Sequence, residues 1–323
     1  MNPSTAEPHL LTWITPVIPQ KELEGLFAWV NHHLLEAGLP IIESFTRMKT
    51  SFCFEPKEAL RLDFEITPPP RATPESNRMN AFALLRESLW SEILAGSQPA
   101  PRPELVSLRP ESVAKAAKTL ACFDMDSTLI NEEVIDEIAR EAGFFAEVAA
   151  ITEEAMQGKM DFEAALRRRV KLFFGMPKAR AEAIIPRLTL SPGGDTLIAG
   201  FRSTGVRTAV LSGGFEFILK HFQKQLLIDQ VFGNHLVTDD LECFTGELDG
   251  PIVDAAYKQK LAANLKSSYS VRTEETLTVG DGANDALMMR EAGTQVSFCG
   301  KAKLAGHCNT LIFDRNLLWI RQL

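Results

Sequence analysis

The sequence carries no excess of positive charge: 34 Lys and Arg stand against 42 Asp and Glu, for a formal net charge of -8 at pH 7. That balance has the wrong sign for holding nucleic acid or an anionic membrane surface by bulk electrostatics, so any anionic ligand must be captured by a local site. Cysteines are few and scattered. Cys53, Cys122, Cys243, Cys299 and Cys308 include no CxxC pair, which argues against a disulfide framework or a zinc knuckle and fits a reducing compartment. His9, His32, His33, His221, His235 and His307 lack a ligand spacing such as HExxH, and none is assigned to chemistry. No apolar run approaches the roughly 18 residues of a membrane span, and the stretch MNPSTAEPHLLTWITPVIP has no basic segment ahead of its apolar residues. A cytoplasmic protein without membrane attachment is expected.

What is present is an ordinary globular composition, 45% hydrophobic and 24% charged, in a chain of 323 residues, long enough for about two domains. The first hundred or so residues are patterned as β-α-β-β-α-β. HLLTWITPVI is strand-like, QKELEGLFAWVNHHLLEAG has helical spacing with a stop at Gly38, and IIESFTRMKTSFCFE and ALRLDFEIT are alternating runs closed by Pro68-Pro69-Pro70. A helix from about Asn80 to Leu94 and a short strand, ELVSL, follow. This is the split βαβ order, and it resembles the ACT-type modules that bind amino acids. The Pro-rich QPAPRPELVSLRPES reads as a linker near residues 98 to 112, dividing an α+β module, 1–109, from an α/β domain, 110–323.

In the second domain LACFDMD, RTAVLSGG, TLTVGDG, TQVSFCG and TLIFD are short apolar runs separated mostly by helical patterns, as in a parallel sheet. The stretch from about 132 to 190 is too long for an ordinary crossover and is expected to form a helical cap over the sheet's carboxyl edge. Ligands of open α/β sheets bind beyond that edge, and four polar clusters fall there. FDMDST puts Asp124 and Asp126 on one side of a strand end, where two anions need a cation or a shared proton. Taken alone, DxD reads equally as a solvated loop pair or a helix cap. LSGGF places Ser212 and Gly213 where a phosphate cradle or a plain strand-to-helix turn would serve. Lys258, in DAAYKQKLAANL, is a helical cation that could neutralise phosphoryl charge, although such a lysine is usually solvated. TVGDGANDALM brings Asp281, Asn284 and Asp285 to another strand mouth, and Asp281 suits a direct Mg²⁺ ligand. The hairpin-like NHLVTDDLECFTGEL, from Asn234, reads as structural.

DxDST, SGGF, lysine and GDGAND in that order resemble the motif set of the haloacid-dehalogenase-like phosphatases. With NEEVIDEIAREAG, EEAMQGKMDFEAALRRRV and DAAYK, the chain from about residue 118 onward is similar to the branch of that family acting on phosphoserine. The resemblance implies a Rossmann-like core with a parallel sheet and helical cap. It also implies hydrolysis of O-phospho-L-serine to L-serine and phosphate through an aspartyl-phosphate, the closing step of serine biosynthesis. Asp124 would be the nucleophile and Asp126 the general acid and base. Mg²⁺ would be held by Asp124, the Asp126 carbonyl and Asp281, with Asp285 supporting. Ser212, Gly213, Lys258 and Asn284 would face the phosphoryl group. Glu133 would receive the substrate ammonium and Arg169 its carboxylate, with Phe162 and Met156 as apolar cap residues. That pairing suits a zwitterion carrying a phosphate, which requires an anion, a fork-shaped cation and a dry lid. Their ordinary readings are an acidic first helical turn and a solvated arginine run. The alternatives are a related phosphatase or phosphotransferase acting on phosphothreonine or phosphohomoserine, and a non-enzymatic regulator, which a complete catalytic set disfavours. The N-terminal module is expected to sense a ligand or to pair two copies of the chain.

Overall fold

The computed structural model describes residues 7–16, 19–42, 46–51, 58–68 and 75–323. Cys53, Pro69, Pro70 and parts of the run IIESFTRMKTSFCFE lie outside the described residues. Among the described residues eleven strands form one sheet in the order β2-β3-β1-β4-β11-β10-β9-β5-β6-β7-β8. The N-terminal four are β1 (His9–Pro16), β2 (Thr46–Ser51), β3 (Glu58–Ile66) and β4 (Leu105–Pro110), with helices α1 (Gln20–Glu36) and α2 (Glu75–Ala95). All neighbours among these strands run antiparallel, which gives the split βαβ arrangement. α2 begins several residues before the Asn80 that helical spacing alone suggests.

After a short helix α3 (Glu111–Lys115) the second half begins with β5 (Leu120–Phe123). The cap helices are α4 (Val134–Ala142), α5 (Phe145–Met156), α6 (Phe162–Lys171) and α7 (Lys178–Glu182). Helix α8 (Gly194–Ser203) leads back to β6 (Arg207–Phe215) and α9 (Glu216–Leu226). Strands β7 (Gln230–Thr238) and β8 (Phe244–Asp249) form the hairpin that the Asn234 run suggests. Then come α10 (Ala255–Ser268), β9 (Thr276–Gly280), α11 (Ala286–Met289), β10 (Thr294–Phe298), α12 (Ala302–Ala305) and β11 (Thr310–Ile312). β11, β10, β9, β5, β6 and the first part of β7 are parallel. β5 and β9 are buried along their whole length, so their side chains are apolar or small on both faces rather than alternating.

The segment expected to be a linker is not a free one. Its second half is β4, which pairs with β1 on one edge and with β11 on the other. Ser107 Oγ lies 2.8 Å from Thr310 Oγ1, and Trp90 Nε1 donates to the Cys308 carbonyl at 3.0 Å. An apolar strand with both edges bonded satisfies its backbone inside the molecule, which a proline-rich composition does not reveal. One apolar core runs beneath this junction, from Trp13 and Leu62 through Val106 and Leu311 to Met288.

Candidate active site

Strands β9 and β5 end level with the middle of the parallel strand β6. Phe123 of β5 is opposite Val279 of β9 and Val210 of β6, so the residues just beyond these three positions meet at a single edge. Asp124 comes directly after β5, and its amide donates to the Val279 carbonyl at 2.9 Å. Asp281 comes directly after β9. Ser212 lies where the pairing of β6 with β7 shifts register. Alternation at the β5 end sends Met125 into the core, where it is fully buried, and sends the two aspartates toward the cavity.

The carboxylates of Asp124, Asp281 and Asp285 are buried, with oxygens within 4.8 Å of one another. Lys258 Nζ lies 2.8 Å from Oδ1 of both Asp124 and Asp285. Burial alone would lower the lysine's proton affinity, but the two carboxylates raise it, so the ammonium stays charged. Asp124 Oδ1 also accepts from the Met125 amide at 2.7 Å, which leaves Oδ2 without a protein donor among the described residues. Burial first, and then the Asp285 charge, pushes the Asp124 carboxyl up to about 8 against the pull of Lys258. Asp285 is fixed by Lys258 and by the Gly282 amide at 3.1 Å. A Cβ at position 280 would run into its carboxylate, so Gly280 is required there. Of these three close carboxylates, Asp124 and Asp285 share the buried Lys258 ammonium and Asp281 meets only the exposed Lys301, a remaining excess of negative charge that fits a divalent cation with oxygen ligands.

Asp126 Oδ1 is buried and has no hydrogen-bond partner among the described residues. Burial, followed by the Glu133 and Asp124 charges, raises its pKa well above the usual carboxylate range, which favours the proton-bearing form. Ser212 Oγ accepts from the Gly214 amide at 2.9 Å, leaving its hydroxyl hydrogen for another acceptor. The Gly213 carbonyl is held by Asn234 Nδ2 at 2.8 Å, and Asn234 Oδ1 accepts from the Val253 amide at 2.9 Å.

Above these groups is a cavity of about 160 Å³, small enough to select a small metabolite. Asp124, Asp126, Glu133, Phe162, Arg169, Ser212, Gly213, Asp281 and Asn284 all line it. Glu133 accepts from Ser127 Oγ at 2.9 Å; loss of surrounding water raises its pKa and this bond opposes the rise. Of the three consecutive arginines, Arg167 pairs with Glu163 and Arg168 with Glu154, on the outer surface. Arg169 alone reaches the cavity, and its side-chain bonds are long ones, to Ala165 O at 3.3 Å and Thr152 Oγ1 at 3.4 Å. Phe162 abuts Gly213, where a Cβ would approach its ring to 3.0 Å. Met156 is not brought in. It ends α5, is 75% exposed and lies outside the cavity lining, because the chain turns away at Gln157-Gly158. The sequence reading missed Lys301, which follows β10, lines the cavity and sits 3.3 Å from Asp281 Oδ2. Its signal was a lysine just after the glycine that closes the run TQVSFCG.

A family model of haloacid dehalogenase-like hydrolases matches residues 121–290, more than half of the chain. The chain belongs to the haloacid dehalogenase-like hydrolases. Among individual relatives, it is 39% identical over 200 residues to the phosphoserine phosphatase of Methanocaldococcus jannaschii, covering 62% of this chain and 94% of that one. A phosphoserine phosphatase of Archaeoglobus fulgidus is 37% identical over 66% of this chain, which spans 62% of that relative's length. A solved phospho-aspartyl intermediate analogue of phosphoserine phosphatase superposes with a TM-score of 0.60 at 38% identity, over 64% of this chain and 99% of that one. A family hydrolase of Salmonella enterica serovar Typhi superposes along 98% of both chains, with a TM-score of 0.74 at 27% identity. That match includes the N-terminal module.

Proposed function

We propose that this chain hydrolyses O-phospho-L-serine to L-serine and phosphate. The observation that carries the reading is the polarity of one small cavity. Asp124, backed by the buried Lys258, and Ser212 line its floor, while Glu133 and Arg169, an anion and a cation, line its cap side. That arrangement fits a phosphate joined to an ammonium and a carboxylate. The names of the relatives point the same way.

In the first step an oxygen of Asp124 attacks phosphorus and the phosphorus–oxygen bond to serine breaks. Asp126 gives its proton to the departing serine oxygen, and Ser212 and the backbone around Gly213 hold the phosphoryl oxygens. Asp126 then takes a proton from water, whose oxygen attacks the aspartyl-phosphate and releases phosphate and the Asp124 carboxylate. Lys258 stays charged throughout and offsets the charge on Asp124. Mg²⁺, which Asp124, the Asp126 carbonyl and Asp281 would hold with Asp285 in support, would supply charge neutralisation at the phosphoryl oxygens. Glu133 and Arg169 orient the amino-acid end, Asn284 faces the phosphate, and Phe162 excludes water. The free thiols of Cys122, Cys243, Cys299 and Cys308 support a reducing, cytoplasmic setting. No helix among the described residues is long and apolar enough to cross a membrane.

The test is steady-state hydrolysis of phosphoserine, phosphothreonine, phosphohomoserine and p-nitrophenyl phosphate. The highest kcat/KM is expected on phosphoserine, and turnover should disappear in Asp124→Asn. A clear preference for another member of the panel would replace the substrate. Label from the phosphate appearing on a side chain other than Asp124 would overturn the mechanism.

A further inference from the structure

The two crossings between the catalytic sheet and the cap lie side by side. Ile130 bridges to Leu190, the Asn131 amide donates to the Thr189 carbonyl at 2.9 Å, and Ser191 Oγ donates to the Thr128 carbonyl at 2.7 Å. Glu132 closes the seam by accepting from the Thr189 amide and hydroxyl, at 2.8 and 2.7 Å. A cation from a third stretch of chain reaches this seam. Arg315, three residues past β11, donates from Nε to Asn131 Oδ1 at 2.7 Å and from Nη2 to the Ser127 carbonyl at 3.2 Å. Both acceptors are uncharged, so the fork serves orientation rather than a generic ion pair. Asn131 passes the hold onward, donating from Nδ2 to Thr189 Oγ1 at 2.9 Å and to the Leu190 carbonyl at 3.2 Å.

Ser127 is the residue whose geometry needs holding. Its φ is +56°, in the left-handed region that a residue with a Cβ seldom enters, and it directly follows Asp126. Three bonds fix it there: its amide to the Glu132 carbonyl at 3.3 Å, its carbonyl from Arg315, and its hydroxyl to Glu133 at 2.9 Å. We propose that Arg315 is a positioning residue for substrate selection: by gripping Ser127 and Asn131 it keeps the Ser127 hydroxyl on Glu133 and so aims that carboxylate into the cavity. The partner of Glu133 is the substrate ammonium, and in this the inference rests on the phosphoserine reading. Arg315 touches neither the phosphoryl floor nor Lys258. Its loss therefore acts on recognition of the amino-acid end, not on phosphorus chemistry.

The experiment measures kcat and KM of the wild type, Arg315→Ala, Arg315→Lys, Ser127→Ala and the Ser127→Ala/Arg315→Ala pair, on phosphoserine and on p-nitrophenyl phosphate, which has no ammonium. For Arg315→Ala, KM for phosphoserine should rise about tenfold while kcat and KM on p-nitrophenyl phosphate stay within about twofold. Arg315→Lys, which restores one donor of the fork, should fall between. The pair should cost no more than the larger single change, because both act through one hydroxyl. Equal losses on the two substrates, or additive losses in the pair, would overturn the inference. If Arg315→Ala does not fold, Arg315→Lys decides, and a phosphoserine-to-p-nitrophenyl phosphate ratio equal to that of the wild type overturns it. A wild type with no activity on phosphoserine would instead overturn the substrate reading.

Discussion

His9 is a histidine that the fold holds neutral. It opens β1 with its ring stacked on Phe82, centroids 3.6 Å apart, and burial lowers its pKa from 6.5 to about 4. A contact with the Glu7 carbonyl opposes that shift and the nearby Arg86 charge adds to it. The folded state thus binds fewer protons than the unfolded chain between these two values, so stability is lost as pH falls from about 6.5 through 4. The loss should be on the order of 2 kcal/mol, less than full burial would give because the ring keeps some contact with water. Urea unfolding at pH 7 and pH 4.5 measures it, and His9→Phe, which keeps the stacked ring, should flatten this part of the pH dependence. An unchanged slope in the variant would place the acid sensitivity elsewhere.

A single cap helix separates outward-facing charge from cavity-lining charge. Phe162, Leu166 and Arg169 lie on one stripe of α6 at spacings of four and three, and all three line the cavity, whereas Arg167 and Arg168 point outward to their glutamates. Arg169→Ala should therefore raise KM for phosphoserine at least about thirtyfold, as expected for a lost charged hydrogen-bond partner worth about 2 kcal/mol, and leave p-nitrophenyl phosphate little affected. Arg168→Ala should change neither. Comparable effects of the two substitutions would remove Arg169 from substrate binding. Much of this site was legible in the sequence because each motif is local: a strand end, then a carboxylate, a serine or a glycine within a few residues. Arg169 could be named, but the pattern RRRV could not distinguish it from its neighbours until the helix phase was fixed. Lys301, Asn234 and Arg315 were not legible, because each acts across the fold, on Asp281, Gly213 and Ser127 respectively. Met156 failed for the converse reason, since a motif match cannot say where a helix end will point.

For the molecule as a whole, the decisive element is β4, hydrogen-bonded to β1 on one side and β11 on the other. The apolar core below it mixes residues of both halves, and Arg109, fully buried on β4, donates to the Leu323 carbonyl at 3.0 Å. A chain lacking residues 1–104 should therefore lose more than a regulatory appendage. It should unfold at a lower temperature than the full chain and bind an apolar dye, because one edge of β4 and one side of the shared core become exposed. Equal unfolding temperatures and unchanged kinetics would show that the N-terminal module contributes neither stability nor control. The same strand limits how such a protein can diversify by exchange of parts. A foreign N-terminal module could be grafted only if it supplied a last strand whose side chains and register suited Thr310–Ile312. Recombination within the proline-rich stretch, permissive as its composition looks, would separate a strand from one of its two neighbours, so ancestry in this chain is expected to travel with the junction intact.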